Sequence, residues 1–155
     1  MSDPEQVTYC GLYCRLCGQH SRIPELSRRL REAMDKEGYK HWGLGLSGFR
    51  EFWVFLESLC SSNEKMNCRK VSCGPASCAI RKCALAKKIE VCIFCDDYPS
   101  SRILDLGERY PTLLADGKRL KSIGIENWVK EQEERQKTGF AYLDIRCFPN
   151  KIMGK

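Results

Sequence analysis

The chain has 155 residues and a formal net charge of +6, long enough to bury a core without disulfide help. Eleven cysteines far exceed ordinary usage, and an odd number excludes a fully paired disulfide framework. No stretch approaches the roughly 18 apolar residues of a membrane span, and the opening MSDPEQVTY has no apolar signal-peptide core.

The expectation is a cytoplasmic protein with no membrane partner, where reduced, clustered thiols signify metal or redox chemistry. The positive charge is only weak support for a nucleic-acid partner, because it counts every cysteine as neutral. A divalent ion held by four thiolates carries a net −2, so two such sites would take +6 to about +2.

Residues 1 to 23 hold YCGLYCRLCGQH, with Cys10, Cys14 and Cys17. C-x3-C-x2-C is the spacing that radical-SAM enzymes use for a catalytic cluster. Barrels of that general kind need about 200 residues or more, and no strand–helix repeats follow Cys17 here. That reading is set aside. His20 and His41 are possible imidazole ligands, with a non-ligand role favoured for both.

Residues 24 to 60 are predicted helical in two pieces. PELSRRLREAMDKEG starts at Pro24, ends at Gly38 and aligns Leu26, Leu30 and Met34 on one face. SGFREFWVFLESLC has Ser47 as its expected N-cap. Phe49, Phe52, Trp53, Leu56 and Leu59 form an apolar stripe expected to be core.

Residues 61 to 99 form a second cysteine zone, polar, basic and poor in aliphatic residues. There CAIRKCALAKK predicts a short helix carrying Cys78 and Cys83 on successive turns. Residues 100 to 155 return to helix. SRILDLGERYPTLLADGKRLKSIG is broken near Pro111, and IENWVKEQEERQKTG is anchored by Trp128 and Val129 and stops at Gly139. FAYLDIRC alternates and predicts a short extended segment. The expected class is mostly α, a single domain over 1–155 with cysteine-rich metal-binding knuckles between helices.

The second zone reads C-x4-C-x4-C-x4-C-x8-C-x2-C, through Cys68, Cys73, Cys78, Cys83, Cys92 and Cys95. A C-x2-C loop lets two sulfurs reach one ion at about 2.3 Å, and Cys14/Cys17 and Cys92/Cys95 are two such pairs. Cys60 and Cys147 read instead as small buried apolar residues. Asp96 and Asp97 read as solvated loop acids. Both zinc and iron–sulfur clusters accept four thiolates. Irregular pairs in polar surroundings favour zinc, and Arg15, Arg69, Lys70, Arg81 and Lys82 offset thiolate charge for either.

Three segments in order, CGLYCRLC, CAIRKCALAKKIEVCIFCDDYP and IGIENWVKEQEERQKTGFAYLDIR, resemble the prokaryotic family called domain of unknown function 3795. The resemblance implies a cysteine-rich, metal-binding protein and no established activity. Ser100 stands where that family's closing motif has a cysteine after proline. Cys68-Arg69-Lys70-Val71 stands where it commonly has a C-x-G-C pair.

The reading reached from these residues is a zinc-binding protein of structural or interaction role, holding about two ions. Cys10, Cys14 and Cys17 are expected to share a closed site with Cys83. Cys73, Cys78, Cys92 and Cys95 would form the second, with Cys68 as substitute. The partner would be an unidentified protein or small molecule. The alternatives are an iron–sulfur protein with electron-transfer or open-cluster catalytic chemistry, and a metal- or thiol-handling protein. Nothing in the sequence decides whether there is catalysis.

Overall fold

A computed structural model describes residues 3–61, 67–70 and 77–148. Its described part is mostly helical, with seven α-helices, several short 3-10 turns and no β-strand beyond an isolated Val7–Tyr13 bridge. The chain divides into two compact units, one from residues 18–64 and the other from the flanking segments 1–17 and 65–155.

In the flanking-segment unit, α4 (Ala79–Lys87), α5 (Ser101–Arg109), α6 (Leu113–Ile123) and α7 (Ile125–Lys137) follow the predicted helices. Pro111 falls in the break between α5 and α6, as its missing N–H demands. The core gathers Val7, Tyr13, Leu16, Val91, Ile93, Ile103, Tyr110, Leu113, Leu120, Trp128, Val129 and Tyr142. Trp128 is fully buried and meets Tyr13 edge-on, with ring centroids 6.2 Å apart. Such a pair adds about 0.5–1.5 kcal/mol beyond its area burial. Tyr142 accepts a hydrogen bond from the Tyr13 backbone N–H at 3.0 Å, so the far end of the chain closes over the first cysteine segment. Gly117 on α6 admits the Tyr98 hydroxyl, since a Cβ there would lie 2.7 Å from that oxygen.

The tail departs from the expected extended segment. Tyr142–Asp144 is a 3-10 turn, capped by Asp144 accepting from the Ala141 N–H at 2.9 Å. The apparent alternation arises because Tyr142 turns inward while Leu143 stays exposed. Cys147 is exposed rather than buried, and its N–H donates to the Arg109 carbonyl at 3.0 Å.

In the 18–64 unit, α1 (Arg22–Lys36), the single turn α2 (Tyr39–Trp42) and α3 (Phe49–Cys60) follow in order, and α1 packs against α3. The N-cap of α3 is Gly48, in the left-handed region at φ 77°, rather than Ser47. A non-glycine residue is disfavoured in that conformation, which is why the cap falls there. Phe49 and Leu56 are buried and Trp53 and Leu59 half-buried, but Phe52 is exposed. Two helices cover only a narrow stripe, so the expected five-residue core is wider than the packing that exists. Cys60 is buried as expected, its thiol donating to the Leu56 carbonyl at 3.2 Å. No helix among the described residues is long and apolar enough to cross a membrane.

Candidate metal centre

The two C-x2-C pairs adopt one backbone form. Cys14–Leu16 and Cys92–Phe94 are each a 3-10 turn entered from an extended residue. Each is closed by the second cysteine's N–H donating to the first cysteine's carbonyl, at 2.9 Å for Cys17 and 3.0 Å for Cys95. The anchors differ: Leu16 is buried in the first turn and Ile93 in the second. The short spacer makes the turn, and the apolar spacer residue fastens it to the core.

Cys10 sits on a tight turn between Thr8 and Leu12. The Thr8 N–H donates to the Leu12 carbonyl at 2.8 Å, and the Leu12 N–H donates to Thr8 Oγ1 at 2.9 Å. Gly11 takes φ 94°, the region that favours glycine. Thr8 Oγ1 lies 3.0 Å from the Cys10 sulfur. The second knuckle is joined to this turn directly, because the Cys92 N–H donates to the Tyr9 carbonyl at 2.7 Å.

Cys68 reaches the same place by a different device. Buried Asn67 accepts from the N–H groups of Arg69 and Lys70 at 3.0 and 2.7 Å, folding residues 67–70 into a turn. Arg69 then clamps that turn to both cysteine segments. Its Nε donates to the Val7 carbonyl at 2.7 Å, its Nη2 donates to the Glu90 carbonyl at 2.9 Å, and its guanidinium lies 5.0 Å from the Tyr9 ring centroid. Lys70 pairs with Glu5. Cys78 is the N-cap residue of α4, and Cys83 lies within that helix.

The electrostatics follow this convergence. Burial pushes the Cys10 thiol up, the Thr8 side chain and the Leu12 N–H favour its anionic form, and Cys68 and Cys78 raise it further. Cys92 is pushed up to about 12, first by burial and then by Cys10, Cys83, Cys95 and Cys78. Cys10, Cys68, Cys78 and Cys92 therefore share one electrostatic neighbourhood, drawn from four separate stretches of chain. Cys83 and Cys95 reach it through Cys92. They also line, with Cys92, a cavity of about 190 Å³.

Cys14 is buried in its own turn, and Cys17 is half-buried within electrostatic range of Tyr110. Cys73 lies outside the described residues. His20 belongs to the 18–64 unit, where burial lowers its pKa. None of the described cysteines is in a disulfide. Among the described residues, no three or more His, Cys, Asp or Glu side chains close into a metal-holding geometry. The donor chemistry nonetheless suits a soft cation. Neighbouring buried thiols raise one another's pKa in the absence of positive charge, and a bound cation reverses that effect by favouring thiolates. Asn67 and the clamping role of Arg69 were missed in the sequence. Only the short N-x-R-K turn hints at the first, and nothing local signals the second.

The family described as "Protein of unknown function (DUF3795)" matches residues 6–105, and the chain belongs to it. That span covers both knuckles, the Cys68 turn and α4, and ends inside α5. No curated protein and no solved structure matches the chain.

Proposed function

For this DUF3795 member we propose a zinc-binding protein whose metal is structural, held by Cys10, Cys68, Cys78 and Cys92. The observation that carries the reading is the stitching of the Cys10 turn, the Cys68 turn and the Cys92 knuckle around Tyr9 by the Cys92–Tyr9 hydrogen bond and the Arg69 clamp. Binding would draw the four sulfurs in to about 2.3 Å from the ion. The set replaces the sequence-based grouping of Cys10 with Cys14, Cys17 and Cys83, and it makes Cys68 a principal ligand rather than a substitute. A second ion, within the expected total of about two, would draw on the Cys14 and Cys17 pair of the first knuckle.

Structural zinc supplies apparent folding free energy of about 10–16 kcal/mol in small peptides. Its role here is to hold residues 67–70, which bury little apolar surface, against the start of the chain. An interaction role is supported separately by the 18–64 unit. Leu26, Leu30, Trp42, Leu44, Val54 and Phe55 are all exposed there, an apolar surface of the kind a protein partner covers.

Elemental analysis of the purified protein, with site variants, tests the metal reading. Cys10→Ser and Cys92→Ser should each lower zinc content by one ion per chain, while Cys60→Ser and Cys147→Ser leave it unchanged. Equal losses in all four would overturn the ligand assignment. Iron and labile sulfide with visible absorbance would replace zinc by a cluster.

A further inference from the structure

The 18–64 unit keeps more large apolar side chains outside than inside. Phe49 and Leu56 are buried, whereas Leu26, Leu30, Phe52 and Phe55 on its helices are exposed, as are Trp42, Leu44 and Leu46 between them. Arg28 Nη1 donates to the carbonyl of Cys60, the last residue of α3, at 2.9 Å. At the other end the Tyr39 ring stacks on Phe49, with centroids 6.2 Å apart. The first half of α1 therefore meets the end of α3, and the two helices run antiparallel.

Helix geometry sorts the exposed residues. At about 100° per residue, Leu26 and Leu30 lie roughly a quarter turn around α1 from its buried and half-buried side, which holds Ser27, Arg31 and Met34. Phe52 and Phe55 lie roughly a quarter turn around α3 from buried Phe49, Leu56 and Cys60, in the same rotational sense. Equal senses on antiparallel helices bring all four to one face of the pair, and half-buried Leu59 shares the α3 stripe. The opposite face carries Glu25, Arg29, Glu32 and Lys36 of α1 with Arg50 and Glu57 of α3, all exposed, three acids against three bases. That balance does not suit an anionic membrane, which an amphipathic segment reaches through a Lys/Arg-rich polar face.

We propose that the uncharged face of this helical pair is covered by the same face of a second copy of the chain, so that two hairpins pack as the two layers of a four-helix assembly. This rests on the reading of the unit's apolar surface as one that a protein covers, and it names that protein. Exposures on the face run from 41% for Phe52 to 62% for Phe55. With about 150–250 Å² for a large aromatic side chain and about 100 Å² for a leucine, the face and the turn that carries Trp42, Leu44 and Leu46 offer on the order of 500 Å² of apolar surface. An interface between identical chains takes about 800 Å² from each, about 65% of it apolar. The hairpin therefore supplies the apolar share that a stable dimer needs. A two-fold contact uses the same patch on both chains, and balanced charge on the outer faces adds no repulsion between them.

The test is the mass of the full-length protein as purified, under reducing conditions, followed by sedimentation equilibrium from low to high micromolar concentration. The unsubstituted protein should reach twice the mass of one chain. Leu30→Glu and Phe55→Glu, each placing a charge in the apolar contact, should weaken self-association at least about 30-fold. Arg29→Gln, on the charged face, should leave it within about 3-fold. Circular dichroism checks that each variant keeps its helices, and Leu30→Ala with Phe55→Ala in one chain stands in for a Glu variant that does not. A monomeric unsubstituted protein would overturn the proposal, as would a dimer that both Glu variants leave intact. Binding of an apolar dye to the same samples separates this outcome from the fate of the interaction reading. A monomer whose dye binding falls in Phe55→Glu keeps a surface for a different protein, and a monomer that binds vesicles containing phosphatidylserine gives the face to a membrane. A monomer that binds neither dye nor vesicles removes the interaction reading as well.

Discussion

Replacing Arg69 by Met keeps an aliphatic stem of similar length but removes the guanidinium that holds the Cys68 turn in place. The substitution deletes a half-buried hydrogen bond to the Val7 carbonyl and a more exposed one to the Glu90 carbonyl. It also deletes the contact with the Tyr9 ring at 5.0 Å. Hydrogen bonds to a charged donor contribute about 1.5–3 kcal/mol, and exposure places the Glu90 bond below that range. With about 1.5 kcal/mol for the Val7 bond, about 0.5 for the Glu90 bond and about 0.5–1 for the ring contact, the loss is close to 3 kcal/mol. Because Cys68 adjoins Arg69, much of that loss should appear in metal binding. At 1.4 kcal/mol per tenfold, zinc affinity should fall by about 30- to 100-fold. Competition against a coloured zinc chelator measures it, with thermal melting of the chelated protein run alongside. Unchanged zinc affinity in Arg69→Met would refute the reasoning, whether or not the melting temperature fell, because the clamp would then be unrelated to the metal site.

Two further expectations concern the core and pH. Tyr142→Phe leaves the buried Tyr13 N–H without its acceptor and should destabilise the protein by about 1–3 kcal/mol, read by chemical denaturation. A loss below about 0.5 kcal/mol would mean that another acceptor takes over. The Cys92 pKa is raised in the folded chain from an ordinary 9.0 to about 12, so the metal-free fold holds that proton more tightly than the unfolded chain does. Its contribution is therefore complete below pH 9 and lost as pH climbs toward 12. Metal binding expels the same proton, so the zinc-loaded protein should not share that decline. Melting curves of both forms between pH 8.5 and 10.5, a window chosen from that shift, should diverge. Parallel curves would show that Cys92 does not bind metal.

The helices of this protein are written in near-neighbour patterns, which is why they could be read directly. Pro111 interrupts a long apolar periodicity and separates α5 from α6, and Trp128 with Val129 marks the buried side of α7. Cys78 and Cys83 fall on a short helix for the same local reason. Backbone dihedrals, steric branching and hydrogen bonds four residues apart depend on the immediate sequence alone. The cysteine spacing was equally local, since the two C-x2-C pairs each close a 3-10 turn through a hydrogen bond between their own cysteines. Membership of an uncharacterised family was legible in the three motifs taken together.

Which cysteine segments lie side by side was decided only by the tertiary structure. The segments carrying Cys10, Cys68 and Cys92 are far apart in sequence, and they are joined by one backbone hydrogen bond from Cys92 to Tyr9 and by the reach of Arg69 to two carbonyls. Main-chain carbonyls are present at every residue, so no pattern of side chains shows which of them a guanidinium will find. Exposure was hidden for a related reason. Phe52 and Leu143 have the residue type of core positions, yet both are exposed. An apolar side chain is buried only where another element is available to cover it, and that availability is a property of the assembled chain.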